Sequence, residues 1–157
     1  MALVELLLSP LPSHVRTARL VGVAAARRAG LSDELVDELR FALGEACSRA
    51  VGLHARHAPD SPVRVTIADD PSGLVVTVAD DGPAAGPAPT DLAEDLLGTP
   101  EHDGGDDLVD PDVGLAVVSG LVDDVVVEPS ATGTTVTMRW PLPVGAAGPG
   151  ATTLSRP

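Results

Sequence analysis

The chain has 157 residues, 44% of them hydrophobic, which suffices for one domain with its own core and leaves no second domain to seek. Aromatic residues are nearly absent, with Phe41 and Trp140 alone and no Tyr. The core must therefore come from Val, Leu and Ala, and there is no aromatic platform for single-stranded nucleic acid. The formal net charge of −13 is uneven: residues 1–64 hold eight Arg and seven acids, residues 65–157 two Arg and sixteen acids. Such a surface repels nucleic acid and anionic lipid, and it suits either a basic protein partner or solvation alone.

The elements follow in chain order. VELLLSPL, residues 4–11, is a short apolar run closed by prolines and predicts a strand. SHVRTARLVGVAAARRAG, residues 13–30, has helical spacing, with Val15, Leu20 or Ala18, Val21 and Ala25 on one side and Gly30 as its stop. A second helix opens at Ser32 as N-cap, with Asp33 and Glu34 in the first turn where acids suit the helix dipole, and runs to Arg56. PVRVTIADD and SGLVVTVADDG alternate as strands and are joined by a hairpin turn at Pro71, Ser72 and Gly73. Residues 83–112, rich in Pro, Gly and Asp with a short helical candidate at DLAEDLLG, read as a mobile lid. VGLAVVSGLVDD then predicts a helix, and VVVEPS and TGTTVTMRWPL two further strands. Residues 144–157, built mainly from Gly, Ala, Pro, Ser and Thr, read as a disordered tail.

The order β, α, α, β, β, lid, α, β, β predicts an α+β fold, a two-layer sandwich of a mostly antiparallel sheet with helices on one face, over residues 1–143. On the second helix, Leu35, Leu39, Leu43, Ala46, Ala50 and Leu53 form an apolar arc bordered by Glu38, Glu45, Arg49 and Arg56. Glu45 and Arg49 stand one turn apart with the acid N-terminal, which predicts an i, i+4 ion pair. Metal chemistry has little support. His54 and His57 with Cys47 lack a second ligand pair for zinc, and DDLVDPDVG lacks the Gly and terminal Glu of a calcium loop. Cys47 lies near the apolar arc and reads as packed. A single cysteine excludes an internal disulfide, and no apolar run of about 18 residues or signal-like start is present, so the sequence reads as cytoplasmic, without membrane.

The succession EACSRAV on a helix, VTVADDGPAAG leaving a strand, DVGLAVVSGLVDDVVV entering a helix and TGTTVTMRWPL closing the sheet resembles the GHKL ATPase fold. Within it the sequence is most similar to the anti-sigma regulatory factors of the RsbW and SpoIIAB type, small bacterial serine-protein kinases. The resemblance implies that Glu45 is the candidate base for phosphoryl transfer, and that Arg49 stands where the family's magnesium-holding Asn would be. It implies nucleotide contacts at Asp80, Gly82, Ala84, Asp112, Gly114, Leu115 and Thr134, with Asp80 reading the adenine amino group and the helix from Asp112 facing phosphates. Arg49 cannot ligate a metal, because a guanidinium offers only donors. Ala84 replaces a family Gly, and Asp112 stands beside the phosphate site within a stretch, residues 91–112, that carries nine acids and no Arg. ATP is therefore expected to bind weakly and magnesium is doubtful. The implied function is a partner-switching regulator, a homodimer through residues 4–20, that binds a sigma factor or a STAS-domain antagonist. The alternative is an active kinase phosphorylating that antagonist.

Overall fold

The computed structural model describes residues 3–83 and 111–143, apart from the side chains of residues 111 and 112. The DLAEDLLG candidate, most of the expected lid and the expected tail lie outside the described residues. Eight elements follow the expected order: β1 (Leu3–Leu8), α1 (Pro12–Ala29), α2 (Asp33–His57), β2 (Val63–Asp70), β3 (Gly73–Asp80), α3 (Pro111–Leu121), β4 (Asp124–Ser130) and β5 (Gly133–Trp140). The five strands form one sheet in the order β1-β2-β3-β5-β4, with every neighbouring pair antiparallel. The fold is the expected α+β sandwich.

Local chemistry sets the ends of the elements. Pro12 opens α1, where its missing N–H costs nothing. Gly30, at φ 92°, closes that helix in the left-handed region, while the Leu31 N–H reaches back to the Ala26 carbonyl at 3.1 Å. Ser32 caps α2 by accepting from the Leu35 N–H at 3.4 Å, with Asp33 and Glu34 in the first turn and His54, Arg56 and His57 in the last. The β2–β3 turn is closed by Asp70, whose Oδ1 accepts from the backbone N–H groups of Ser72 at 2.7 Å and Gly73 at 3.1 Å. The Ser72 hydroxyl bonds the same oxygen, and this contact is the chief reason that the Asp70 carboxyl is held below the usual carboxylate range.

Each central strand turns alternate residues toward the helices. Val63, Val65 and Ile67 of β2, Leu74, Val76 and Val78 of β3, and Val136, Met138 and Trp140 of β5 are all buried. The other face carries partly exposed threonines in register across three strands, Thr66 against Thr77 and Thr77 against Thr137. Trp140, the largest fully buried side chain, donates from Nε1 to Glu38 Oε1 at 2.9 Å and so ties β5 to α2.

The buried face of α1 takes the Ala18 alternative: Val15 and Ala18 are buried and Val21 and Ala25 pack partly buried against the core, while Leu20 points outward. Leu20 is 66% exposed, and Val15, Ala18, Gly22, Val23 and Ala26 face inward. Gly22 lies on the inward side: a Cβ built there would stand 2.5 Å from Leu43 Cδ2 and 3.3 Å from Leu39 Cδ2, so a side chain at this position would push against the leucines of α2. With almost no aromatic volume in the core, close backbone approach does the filling. Gly22→Val should overpack this contact and cost about 1–3 kcal/mol. Urea unfolding would read this as a lower midpoint; an unchanged midpoint would show that the two helices separate freely.

Candidate functional site

Helix α2 lays three consecutive contacts along the chain as it leaves β3. Arg49, 3% exposed at its side chain, donates from Nη1 to Asp80 Oδ2 at 2.9 Å; the Asp80 side chain is 2% exposed. The other Asp80 oxygen, Oδ1, accepts from the Gly82 N–H at 3.0 Å. One turn further along α2, His54 Nε2 accepts from the Asp81 N–H at 2.8 Å. A backbone N–H can only donate, so Nε2 is unprotonated and Nδ1 carries the proton to the Ser61 carbonyl, 2.8 Å away. Between these two, Leu53 packs against Gly82, where an added Cβ would stand 3.0 Å from Leu53 Cβ.

The pairing of Arg49 corrects the expectation from helical spacing. Its ion-pair partner among the described residues is Asp80, 31 positions away, and Glu45 takes no part in that pair. The reason is burial. Arg49 turns into the protein instead of lying along the border of the apolar arc, and a desolvated guanidinium needs a carboxylate within the same dry space.

Thr134 sits directly across the sheet from Asp80 in the β3–β5 register. It is 1% exposed, and its Oγ1 has no hydrogen-bond partner among the described residues. The preceding Gly133 is required by close approach, since a Cβ there would collide with the Asp80 carbonyl. Arg49, Asp80, Gly82 and Thr134 thus form one cluster at the open end of β3. Glu45 and Gly114 form a second contact: the Glu45 carboxylate lies beside the first turns of α3, 3.6 Å from the place of a Cβ on Gly114. An anion there is favoured by the exposed N–H groups and dipole of that helix. Leu115 is buried in the core and supports α3 from below. Ala84 and the Asp112 side chain lie outside the described residues.

The cluster can be tested against adenine nucleotide and magnesium. A carboxylate that reads an exocyclic amine must present an oxygen to the incoming group, and both oxygens of Asp80 are engaged in a side chain that is all but inaccessible. The unpartnered Thr134 hydroxyl would suit a small polar group or a water, yet it cannot supply the recognition that Asp80 has given to Arg49. Among the described residues no group of three His, Cys, Asp or Glu side chains is placed to hold a metal. As arranged, the Asp80 end of the cluster does not fit an adenine amine, since its carboxylate is buried and already paired.

The family resemblance pointed to Asp80, Gly82 and Thr134, whereas His54 was weighed only as a metal ligand. A histidine on α2 that bonds backbone at both nitrogens leaves no local spacing signal. Cys47 is packed as expected, with burial pushing its thiol up to about 12 and the nearby Arg19 charge opposing.

A family model described as a histidine kinase-like ATPase domain matches residues 8–140. Among solved structures, the RsbU and RsbW domains of Rv1364c from Mycobacterium tuberculosis superpose with a TM-score of 0.64 at 19% identity. That match covers 90% of this chain and 33% of the other, so this chain spans about a third of it. No curated protein matches significantly. Among the described residues no helix is long and apolar enough to cross a membrane.

Two outcomes follow from the geometry. His54→Ala would strand the Asp81 N–H and the Ser61 carbonyl, at about 2–4 kcal/mol, seen as an early thermal transition; an unaltered transition would show that water replaces both bonds. Cys47 should resist a thiol-reactive dye in the native protein from pH 7 to 10 and react only on unfolding. Rapid native labelling at pH 8 would contradict its burial.

Proposed function

The chain belongs to the histidine kinase-like ATPase family, and on that premise we propose that it acts as a partner-switching regulator of the anti-sigma type with weak or lost ATP binding. It would bind a sigma factor, a STAS-domain antagonist, or each in turn. The observation that carries this reading is the Arg49–Asp80 pair. It joins the arginine at the family's magnesium position to the aspartate that would read adenine, and it leaves the ATPase frame to work as a binding module.

The charge distribution supports a protein partner. Residues 65–157 carry sixteen acids against two Arg, a surplus that suits the basic helices a sigma factor turns toward DNA. A second copy of the chain is the other partner we propose. Leu3, Leu7, Leu11 and Leu20 are 70%, 61%, 51% and 66% exposed, and β1 is an edge strand whose outer side is open to pairing.

One observation favours the kinase alternative: Glu45 keeps its carboxylate beside α3, where a base would stand next to a phosphate. A single assay separates the readings. Purified protein mixed with magnesium–ATP and a STAS antagonist from the same cell should form a complex without phosphoserine. Phosphoserine on the antagonist would establish the kinase, and failure to bind either the antagonist or a sigma factor would remove the regulator reading. Light scattering at micromolar concentration should report a dimer, reduced to monomer by Leu3→Glu with Leu7→Glu. A wild-type monomer would remove the proposed self-association.

A further inference from the structure

Three contacts join α2 to the β3 exit, and all come from side chains of this chain. Arg49 holds Asp80, Leu53 packs on Gly82, and His54 holds the Asp81 N–H. Asp80 is also pinned from the opposite side, because Gly133 lies against its carbonyl and Thr134 is its register partner. A carboxylate this deeply buried requires a cation or strong donors, since an unpaired one is costly at any position inside a protein. The chain supplies that cation from its own helix.

We propose that Arg49 is a built-in ligand of Asp80, which fixes the α2–β3 exit in a single closed arrangement and makes the fold and its partner surfaces independent of adenine nucleotide. The regulator would then be switched by partner concentration, not by the nucleotide state of its own site. This rests on the regulator reading for its biological use, but the contact and its consequence can fail separately. Arginine suits the task because its guanidinium stays charged when buried and offers several donors in a fixed plane, whereas a buried lysine can lose its proton. Both ends of the pair are anchored by regular structure, Arg49 in the interior of a 25-residue helix and Asp80 at the end of a central strand. The backbone at both ends of the pair is therefore held by regular structure.

The test is thermal unfolding of the full chain. Wild type should shift by no more than about 1 °C in roughly 1 mM magnesium–ATP, the response expected for a dissociation constant of about 1 mM or weaker. Arg49→Ala should lower the midpoint by about 10 °C, because it leaves Asp80 buried and unpaired. Methylguanidinium at roughly 10 mM should restore part of that loss by entering the vacated space, a saturable gain of the kind that ligand linkage gives. It should restore nothing in Arg49→Ala with Asp80→Ala. A saturable wild-type shift of several degrees with magnesium–ATP overturns the proposal, and so does an Arg49→Ala midpoint equal to wild type. Should Arg49→Ala not fold, proton exchange at the guanidinium groups of wild type reads the same contact. Arg49 signals that exchange slowly and do not move with magnesium–ATP support the proposal. Exchange as fast as that of the exposed Arg16 overturns it. None of these outcomes depends on a sigma factor or antagonist being bound.

Discussion

The buried Arg49–Asp80 pair is the constraint on which the rest of the site depends. Two opposite charges removed from water gain little net stability by meeting, but either one alone would be strongly destabilising. Every neighbouring feature serves that requirement. Gly82 turns its N–H back to the second oxygen, Gly133 lets β5 approach the Asp80 carbonyl, and His54 holds the next peptide so that the strand cannot swing away. The pair thereby fixes where α2 sits over the sheet, and α2 in turn carries the contacts to α1, through Gly22, and to α3, through Glu45.

The near absence of aromatic side chains shapes the same architecture. A core of Val, Leu and Ala fills space only if backbones come close, and Gly22 and Gly44 provide that closeness on α1 and α2. A Cβ on Gly44 would collide with the Arg19 guanidinium, so that arginine lies flat over α2 near Cys47, and its charge opposes the rise that burial imposes on the thiol. Trp140 is the exception. Its single large ring fills the far side of the core, and its indole N–H finds Glu38, so the one polar atom of that side chain is satisfied.

Much of the fold was legible because each strand alternates cleanly and each helix has a chemical start or stop. Ser32, Gly30 and the Pro71–Gly73 turn act through bonds spanning a few residues, which a sequence displays directly. The face of α1 was legible in part: Val15, Ala18, Val21 and Ala25 turn toward the core, but spacing could not choose between Ala18 and Leu20, and the more apolar Leu20 is the one left exposed. The site divides in the same way. Asp80, Gly82 and Thr134 were picked out by the resemblance to the family's motifs, whereas the partner of Arg49 depends on a contact across 31 residues. An i, i+4 rule counts only neighbours on one helix, and it describes exposed side chains. Once a guanidinium is buried, the nearest buried carboxylate outweighs the nearest carboxylate in sequence.

That distinction bears on how the molecule can be regulated. A pocket floor completed by a dissociable ligand gives a stability that rises with ligand concentration, and this dependence is what a nucleotide switch uses. A floor completed by a side chain of the same chain has its partner at a fixed and high effective concentration, so the dependence vanishes. Yet only the Asp80 end of the site has been closed in this way. Glu45 still stands beside the first turns of α3, and that contact involves no internal cation among the described residues. The two ends are separable because Arg49 and Glu45, one turn apart on α2, face different elements: one the end of β3, the other the start of α3. On α3, Val113, Val117 and Leu121 are exposed, so this helix presents apolar side chains to its surroundings while the Asp80 pair lies buried at the other contact of α2.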